Sequence, residues 1–189
     1  LIKNVTSAYD SLLFHRVFHT IYNFCTVEMS AFYLDILKDR SYTFAKNSKE
    51  RRAGQTVMYS ILLNLVKLSA PILVHTAEEV WSAIIHKGED AASVHLATFP
   101  KENPVWTDNG LHERWEKLIN MRADIARELE KMRAAKLIGN SLEASVNLST
   151  ENEELWQFLK SYEKDLPMIF ILSEVKLDRD ITSRAVKGE

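Results

Sequence analysis

The sequence predicts a mainly α protein, an antiparallel helical bundle that carries a small α/β subdomain at its C-terminal end. Three observations favour this fold class. Apolar residues recur every three or four positions over long stretches, as on the buried face of a helix. Glycine and proline are sparse, with 5 and 4 among 189 residues, which disfavours many short strands joined by turns. Alternation of apolar and polar residues, typical of a half-buried strand, appears in one short run at 93–99 and again beyond residue 143.

The first predicted helix runs from about Tyr9 to Leu37. At about 1.5 Å per residue it would be roughly 43 Å long, which suits an elongated bundle. Its expected buried stripe consists of Phe14, Phe18, Ile21, Cys25, Met29, Phe32 and Ile36.

A second helix is predicted after a loop at 41–47, from about Ser48 to the residues before Pro71. Proline disfavours helical geometry in the residue that precedes it, so the helix should end at Ser69-Ala70. Its apolar side consists of Met58, Ile61, Leu62, Leu65 and Leu68.

A third helix is predicted to begin at Thr76, because threonine with Glu79 three residues later forms a capping box. Gly88 is expected to end it. Its buried face would contain Val80, Trp81, Ile84 and Ile85.

Residues 88–108 show no helical period and predict a loop with a brief strand at 93–99. A fourth long helix is predicted over about 110–136, with Gly139 as its C-cap. Its expected apolar positions are Leu111, Trp115, Leu118, Ile125, Leu129 and Met132.

The remaining sequence predicts a strand–helix–strand unit. Ala144, Val146 and Leu148 alternate with polar residues, and 173–178 (SEVKLD) is similarly strand-like. Thr150 and Glu153 form a possible capping box for the helix between them. The apolar run 168–172 (MIFIL) suits either a helix or a strand.

These elements predict three parts of the chain: a helical bundle at 1–136, a small α/β subdomain at 137–180, and a tail or linker at 181–189. Because the first residue is not methionine, we expect the chain to be a piece of a larger protein. A formal net charge of −2 excludes a bulk polycation, so any nucleic-acid contact must come from a local basic patch. The single cysteine fits a reducing cytoplasm, and no secretory signal or membrane span is expected.

No catalytic motif is present: there is no nucleophile elbow, P-loop or dinucleotide fingerprint. His15 and His19 are spaced to share a metal ion on one helix face, but no zincin glutamate accompanies them, so two exposed histidines are the alternative. Cys25 lies on the apolar stripe, and we interpret it as a small buried hydrophobic residue. We therefore predict no catalytic residue and no metal site in this chain.

The most informative charges lie between residues 38 and 52, where six cations stand against two carboxylates. The cations are Lys38, Arg40, Lys46, Lys49, Arg51 and Arg52. Cations at a helix C-terminus favour the helix dipole, but Arg51 and Arg52 stand in a first turn, where the dipole is already positive. This placement indicates either a phosphate-binding site, with Tyr42 and Phe44 near it, or a salt-bridged end of the bundle.

A second basic stripe on the fourth helix is partly balanced by Asp124, Glu128 and Glu130. Such mixtures usually form a solvated helix face with ion pairs one turn apart; contact with RNA is the alternative. The cations are Arg122, Arg127, Lys131, Arg133 and Lys136.

Several stretches closely resemble the anticodon-binding region of the bacterial isoleucyl-tRNA synthetases, a class I aminoacyl-tRNA synthetase family. They are NFCTVEMSAFYLDILKDRSY (23–42), ERRAGQTVMYSILLNLVKLSAPILVHTAEEVW (50–81), SVHLATFP (93–100), KLIGNSLEASVNL (136–148) and FILSEVKL (170–177). The resemblance covers about residues 10–178 in the family's order. Valyl- and leucyl-tRNA synthetases share the bundle and remain an alternative, as does a purely structural bundle without RNA affinity.

The resemblance implies a bundle that holds the anticodon stem-loop of an isoleucine tRNA, in an ATP-dependent ligase that also carries zinc in many members. The HIGH and KMSKS signatures and a cysteine-rich zinc module are absent from this chain, so we expect no cofactor here and no aminoacylation by the chain alone. The implied partner is tRNA, without DNA or membrane, and the implied state is a cytoplasmic monomer. The implied tRNA-binding residues are Lys38, Arg40, Tyr42, Lys49, Arg51, Arg52 and Gln55: cations for phosphates, Tyr42 for stacking on a base, and Gln55 as a polar reader. Trp81 is expected in the core.

Overall fold

A computed structural model describes residues 1–85 and 91–179 of the protein. The chain forms two compact units, of which the first is Leu1–Thr107 and the second begins at Asp108. We describe each unit by itself. The predicted tail at 181–189 lies outside the described residues.

The first unit is helical, in agreement with the prediction of a mainly α fold. Its helices are α1 (Ile2–Asp10), α2 (Phe14–Asn23), a π-helical segment (Phe24–Tyr33), α3 (Leu34–Tyr42), α4 (Lys49–Ser69) and α5 (Val74–Ala83). Short 3-10 turns follow at Val94–Leu96 and Pro104–Trp106.

The predicted long helix is present, but it begins and ends later in the chain than expected. The backbone breaks between α1 and α2, where Leu12 adopts a left-handed φ of 55° and the Leu13 N–H donates to the Ala8 carbonyl. From Phe14 the helical backbone then continues through the π-helical segment to the end of α3 at Tyr42. One long helix therefore connects α2 to the basic region of the sequence.

The predicted apolar stripe is only partly buried. Phe14 and Phe18 are 52% and 55% exposed, so their assignment to the core was wrong, whereas Leu37 is buried. Both residues lie in α2, before the π-helical segment, so their exposure reflects how α2 packs. Beyond them the segment changes the helical period, because its hydrogen bonds reach one residue further than in an α-helix. A stripe drawn at the α-helical period does not stay on one face through such a segment.

Helix α4 begins and ends as predicted. Ser48 is its N-cap, and its side-chain oxygen accepts a hydrogen bond from the Arg51 N–H at 3.3 Å. Beyond Ser69 the chain turns through Pro71, and the N–H groups of Ile72 and Leu73 both donate to the Ser69 carbonyl.

The predicted start of α5 was wrong by two residues. The helix begins at Val74, so Thr76 stands inside the first turn and no side chain caps the helix. The tight turn after Ser69 brings the chain back into helical geometry early, which leaves the capping-box pattern unused. The helix ends at Ala83, where Ile84 becomes extended, and this leaves Ile85 82% exposed instead of buried. Gly88, the predicted end, lies outside the described residues.

Two apolar clusters form the core of the first unit, and α4 contributes to both. The hydroxyl of Tyr9 in α1 donates a hydrogen bond to the Leu68 carbonyl of α4 at 2.8 Å. Trp81, 1% exposed, lies in the core as predicted and donates its indole N–H to the Ala91 carbonyl at 2.9 Å. One cluster contains Val5, Ala8, Val17 and Leu68, and the other Val66, Ala70, Ala77, Trp81, Ile84 and Val94.

The predicted strand at 93–99 was wrong: this run begins with the 3-10 turn Val94–Leu96. The Glu78 carboxylate of α5 accepts hydrogen bonds from the Ser93 hydroxyl at 2.8 Å and from the Val94 N–H at 3.1 Å. The Glu78 side chain thus accepts the hydrogen bond from the Val94 N–H that the main chain of a neighbouring strand would accept in a sheet. Alternation here reflects one buried residue, Val94, between the half-buried Ser93 and the exposed His95.

Helices α3 and α4 approach closely at Gly54. A Cβ at this position would lie 2.7 Å from Cδ1 of Leu37, a buried side chain of α3. Only glycine allows this approach without displacing Leu37.

We expect Gly54→Leu to lower the free energy of unfolding by about 1–3 kcal/mol, because the added side chain overpacks the contact between α3 and α4. Urea denaturation followed by circular dichroism measures this change. Gly110→Leu is the matched control, since a Cβ at Gly110 meets atoms only at 3.5 Å or more. Equal stability of the two variants would show that the close approach is not maintained in solution.

The second unit contains α6 (Asn109–Ala134), β1 (Ser145–Ser149), α7 (Glu153–Tyr162), α8 (Leu166–Phe170) and β2 (Glu174–Asp178). Asp108 caps α6, its carboxylate accepting from the Leu111 N–H at 2.8 Å. The predicted C-cap at Gly139 was wrong. Lys136 takes the left-handed conformation, with φ of 57°, and Leu137 donates back to the Met132 carbonyl, which is the Schellman pattern.

The predicted strand–helix–strand unit is confirmed. Strands β1 and β2 pair in parallel, with Val146 opposite Val175. Helix α7 is capped by Asn152 instead of Thr150, whose hydroxyl accepts from the Asn152 N–H. The sequence left open whether 168–172 forms a helix or a strand. Residues 168–170 lie in α8, and Ile171, which follows the helix, takes the left-handed conformation.

The core of the second unit includes α6. Leu118 and Leu129 of this helix belong to one cluster with residues of α7, α8 and β2. The units therefore separate between Thr107 and Asp108, whereas the domain boundary that the sequence predicts lies after residue 136; that boundary stays a prediction. Among the described residues, no helix combines the length and apolarity that crossing a bilayer requires.

Candidate nucleic-acid interface

The seven predicted tRNA-binding residues lie at one place in the first unit. We call it the α3–α4 junction: the last turns of α3, the loop at 43–48, and the first two turns of α4. From α3 come Lys38, Arg40 and Tyr42, and from α4 come Lys49, Arg51, Arg52 and Gln55. The seven predicted residues are thus divided between the end of one helix and the start of the next.

Local hydrogen bonds shape the loop at 43–48. The Thr43 hydroxyl and N–H both donate to the Asp39 carbonyl, at 2.7 and 2.9 Å, and end α3. The Ser48 N–H donates to the Ala45 carbonyl, and Ser48 then caps α4. A short turn of this kind holds the end of α3 next to the start of α4.

The α3 side of the α3–α4 junction offers an exposed aromatic ring and two cations. Tyr42 is 84% exposed. Lys38 forms an ion pair with Asp35 at 2.8 Å, and the hydrogen bond and charge of Asp35 raise the pKa of Lys38. Arg40 is half-buried and close to Tyr33: burial raises the pKa of Tyr33, and the Arg40 charge opposes that rise.

On α4 the two adjacent arginines have different environments. Arg52 is exposed, as are Lys49 and Gln55, and no carboxylate of the described residues pairs with Lys49 or Arg52. Arg51 is half-buried: its Nη1 donates to the Phe44 carbonyl at 3.1 Å, while its Nε is buried without a hydrogen-bond partner. An unpaired buried donor costs about 1–3 kcal/mol. Arg52 is thus exposed and Arg51 only partly so, and contact of both arginines with a ligand stays a prediction.

Phe44 is a member of the α3–α4 junction that the predicted residue set left out. Its ring is 37% exposed, and its carbonyl is the acceptor for Arg51. The interleaving of Tyr42 and Phe44 with cations was the sequence signal for an aromatic contribution. With both rings accessible, the α3–α4 junction offers two planar surfaces beside exposed positive charge, a combination suited to unpaired bases and their phosphates.

The second basic stripe is largely ion-paired. Each of three cations of α6 binds a carboxylate three residues earlier: Arg127 to Asp124 and Lys131 to Glu128, both at 2.6 Å, and Arg133 to Glu130. These exposed pairs match the solvated helix face that was one of the two interpretations.

The other candidate chemistry has little support in the described part of the chain. His15 and His19 are exposed on α2, and the described residues contain no group of three or more side chains suited to a metal ion. Burial raises the pKa of the Cys25 thiol, which disfavours the reactive thiolate.

The chain is similar to a domain family of tRNA ligases and to known tRNA ligases. The family described as the anticodon-binding domain of tRNA ligase matches residues 1–148. The chain is 48% identical over 177 residues to an isoleucine–tRNA ligase of Geobacter sulfurreducens, covering 94% of this chain and 19% of that protein. Corresponding enzymes of Caldanaerobacter subterraneus and Kosmotoga olearia are 45% and 41% identical, over 94% and 96% of this chain and 19% and 20% of their own lengths.

The chain thus spans about one fifth of the length of the curated relatives it matches. The family match covers all of the first unit, including the α3–α4 junction, and extends into the second unit to residue 148. This chain belongs to the family of anticodon-binding domains of tRNA ligases.

Proposed function

We propose that the α3–α4 junction binds the anticodon stem-loop of an isoleucine tRNA. The observation that carries this proposal is the exposed pair Lys49 and Arg52, without a carboxylate partner among the described residues, beside the 84% exposed ring of Tyr42. Cations without partners are available for phosphates, and an accessible ring is available for an unstacked base.

The individual residues then have separate roles. Lys49 and Arg52 contact phosphates, and Lys38 and Arg40 add positive charge from α3. Tyr42 stacks on a base of the loop, and Gln55, one turn beyond Arg52 on α4, reads a base edge through its amide. Affinity comes from the backbone contacts and discrimination from the unpaired bases.

The complete protein of which this chain is a part is, on this proposal, an ATP-dependent isoleucine–tRNA ligase, a cytoplasmic monomer that acts on tRNA and not on DNA. The relatives named above support isoleucine over valine or leucine. ATP and zinc belong to other parts of that ligase. The described residues do not fit a zinc ion, since they contain no group of three or more suitable side chains. The chain alone binds tRNA and does not aminoacylate it.

A binding titration of the chain tests this function. With an isoleucine tRNA transcript, neutralisation of about four phosphates by Lys38, Arg40, Lys49 and Arg52 predicts that log K falls with log salt at a slope of about −3 to −4. The same transcript with a changed anticodon is the control. Weaker binding of the control would place anticodon reading in this chain, and equal binding would indicate a platform that grips the backbone only. A chain that binds neither transcript would support the alternative, a structural bundle.

A further inference from the structure

Arg51 is held in the α3–α4 junction by hydrogen bonds from its main chain and from its side chain. Its backbone N–H donates to the Ser48 side chain at 3.3 Å, and its Nη1 donates to the Phe44 carbonyl at 3.1 Å. It is therefore tied to the loop at 43–48 from both its main chain and its side chain. Its Nε is buried and has no partner.

The position of Arg51 on α4 explains this arrangement. Residues of an α-helix are spaced about 100° apart around the axis, so Gly54 and Met58 lie on nearly the same side of α4 as Arg51. That side packs on α3, because Gly54 faces Leu37. Arg52 is turned about 100° away from Arg51, in the direction opposite to Gly54. The side chain of Arg51 thus begins on the side of α4 that faces α3, and its guanidinium group reaches back to the loop.

The bond from Arg51 to Phe44 is the longest-range connection of the loop in the described residues. The other hydrogen bonds of the loop are local, from Thr43 to Asp39 and from Ser48 to Ala45. Among the described residues, no other hydrogen bond reaches the main chain of Phe44.

We propose that Arg51 is a positioning residue of the α3–α4 junction, which acts on RNA by fixing the backbone at Phe44 and not by contacting a phosphate. This inference rests on the proposed function. It assigns direct phosphate contact to Arg52 and Lys49, and it makes the orientation of Tyr42 and Phe44 depend on the guanidinium group of Arg51.

The test compares Arg51→Met with Arg52→Met in the full chain. Methionine keeps an apolar stem over the contact of α3 with α4 but cannot donate to the Phe44 carbonyl. We expect Arg51→Met to raise amide hydrogen exchange at 43–48 and to weaken tRNA binding by about 10-fold, because the loop and its two aromatic rings must then be ordered on binding. The salt slope should stay at the wild-type value. Arg52→Met should leave the exchange unchanged and make the slope shallower by about 0.7–0.9.

Two results would overturn the inference. A salt slope that becomes shallower in Arg51→Met, with unchanged exchange at 43–48, would show that Arg51 contacts a phosphate itself. Unchanged exchange together with unchanged affinity would show that Arg51 does nothing for the loop. If the wild-type chain binds no tRNA, the proposed function fails, and the exchange of 43–48 alone then decides whether Arg51 holds the loop.

Discussion

Replacing Trp81 by alanine should lower the free energy of unfolding by about 3–5 kcal/mol, the usual cost of removing a large buried aromatic side chain. Trp81 is 1% exposed and packs in the cluster that joins α4, α5 and the turn at Val94. Its loss would leave a cavity and would also leave the Ala91 carbonyl without its indole donor. Urea denaturation followed by circular dichroism measures the change.

Two control variants show which property of Trp81 accounts for the loss of stability. Trp81→Phe keeps most of the volume and removes the bond to Ala91, so a loss of about 1–2 kcal/mol is expected. Trp106→Ala removes the same side chain where it is 66% exposed, and the change should stay within about 0.5 kcal/mol. If alanine at 81 and at 106 had equal effects, Trp81 would not be a core residue in solution. Since the chain has two compact units, the transition should be analysed for two steps.

The double reversal Lys49→Glu/Arg52→Glu should weaken binding of isoleucine tRNA by about 100-fold or more at near-physiological salt. Each lost charge-assisted contact with a phosphate is worth about 1.5–3 kcal/mol, and a factor of 100 requires about 2.8 kcal/mol. Stability should hold or rise slightly, because glutamates near the N-terminus of α4 favour the helix dipole. Titration and thermal unfolding of the same samples separate the two effects.

The control for this variant is Arg127→Glu/Lys131→Glu on α6, which changes the net charge equally. Both of these cations are already paired with carboxylates, at 2.6 Å each. We expect a much smaller loss of affinity than at the α3–α4 junction. A loss of the same size from both doubles would mean that net charge, and not the α3–α4 junction, controls binding, and it would revive the alternative that the α6 stripe contacts RNA.

The sequence predicts α4 better than any other element of the first unit, and the reason is local. Ser48 can cap a helix through its own side chain, and Pro71 disfavours helical geometry before it wherever the rest of the chain lies. Glycine at a helix end is a weaker signal. At α6 the left-handed position falls on Lys136, three residues before Gly139, because the core contact of Ile138 fixes where the chain must turn.

The sequence did not predict features that depend on side chains of other elements. The turn at Val94 is held by Glu78 of α5, and alternation of residues cannot reveal a carboxylate from another element. The exposure of Phe14 and Phe18 follows from how the whole helix packs, which apolar spacing alone does not determine.

In the candidate site, too, local sequence predicted some features, and contacts between helices determined the others. Composition alone located the α3–α4 junction, because cations and aromatic residues are concentrated there. The different roles of Arg51 and Arg52 follow from which side of α4 meets α3. A signal for this was present: Arg51 stands seven residues before Met58 and three before Gly54, on the stripe that continues through Ile61 and Leu65. An arginine in register with a buried stripe is expected to be held by its own protein.

The π-helical segment Phe24–Tyr33 has a consequence for how the chain tolerates change. Each π turn contains one residue more than an α turn, so over ten residues the segment rotates everything beyond it by roughly half a turn relative to an unbroken α-helix. That rotation sets which way Leu37 and Tyr42 point. No residue of the segment is fully buried, so single substitutions there should cost less stability than substitutions in the core. Its length is more constrained: with one residue more per turn than an α-helix, losing a single residue would turn Leu37 away from Gly54 by about 80°. The number of residues in this stretch thus sets the orientation of the helix that follows it.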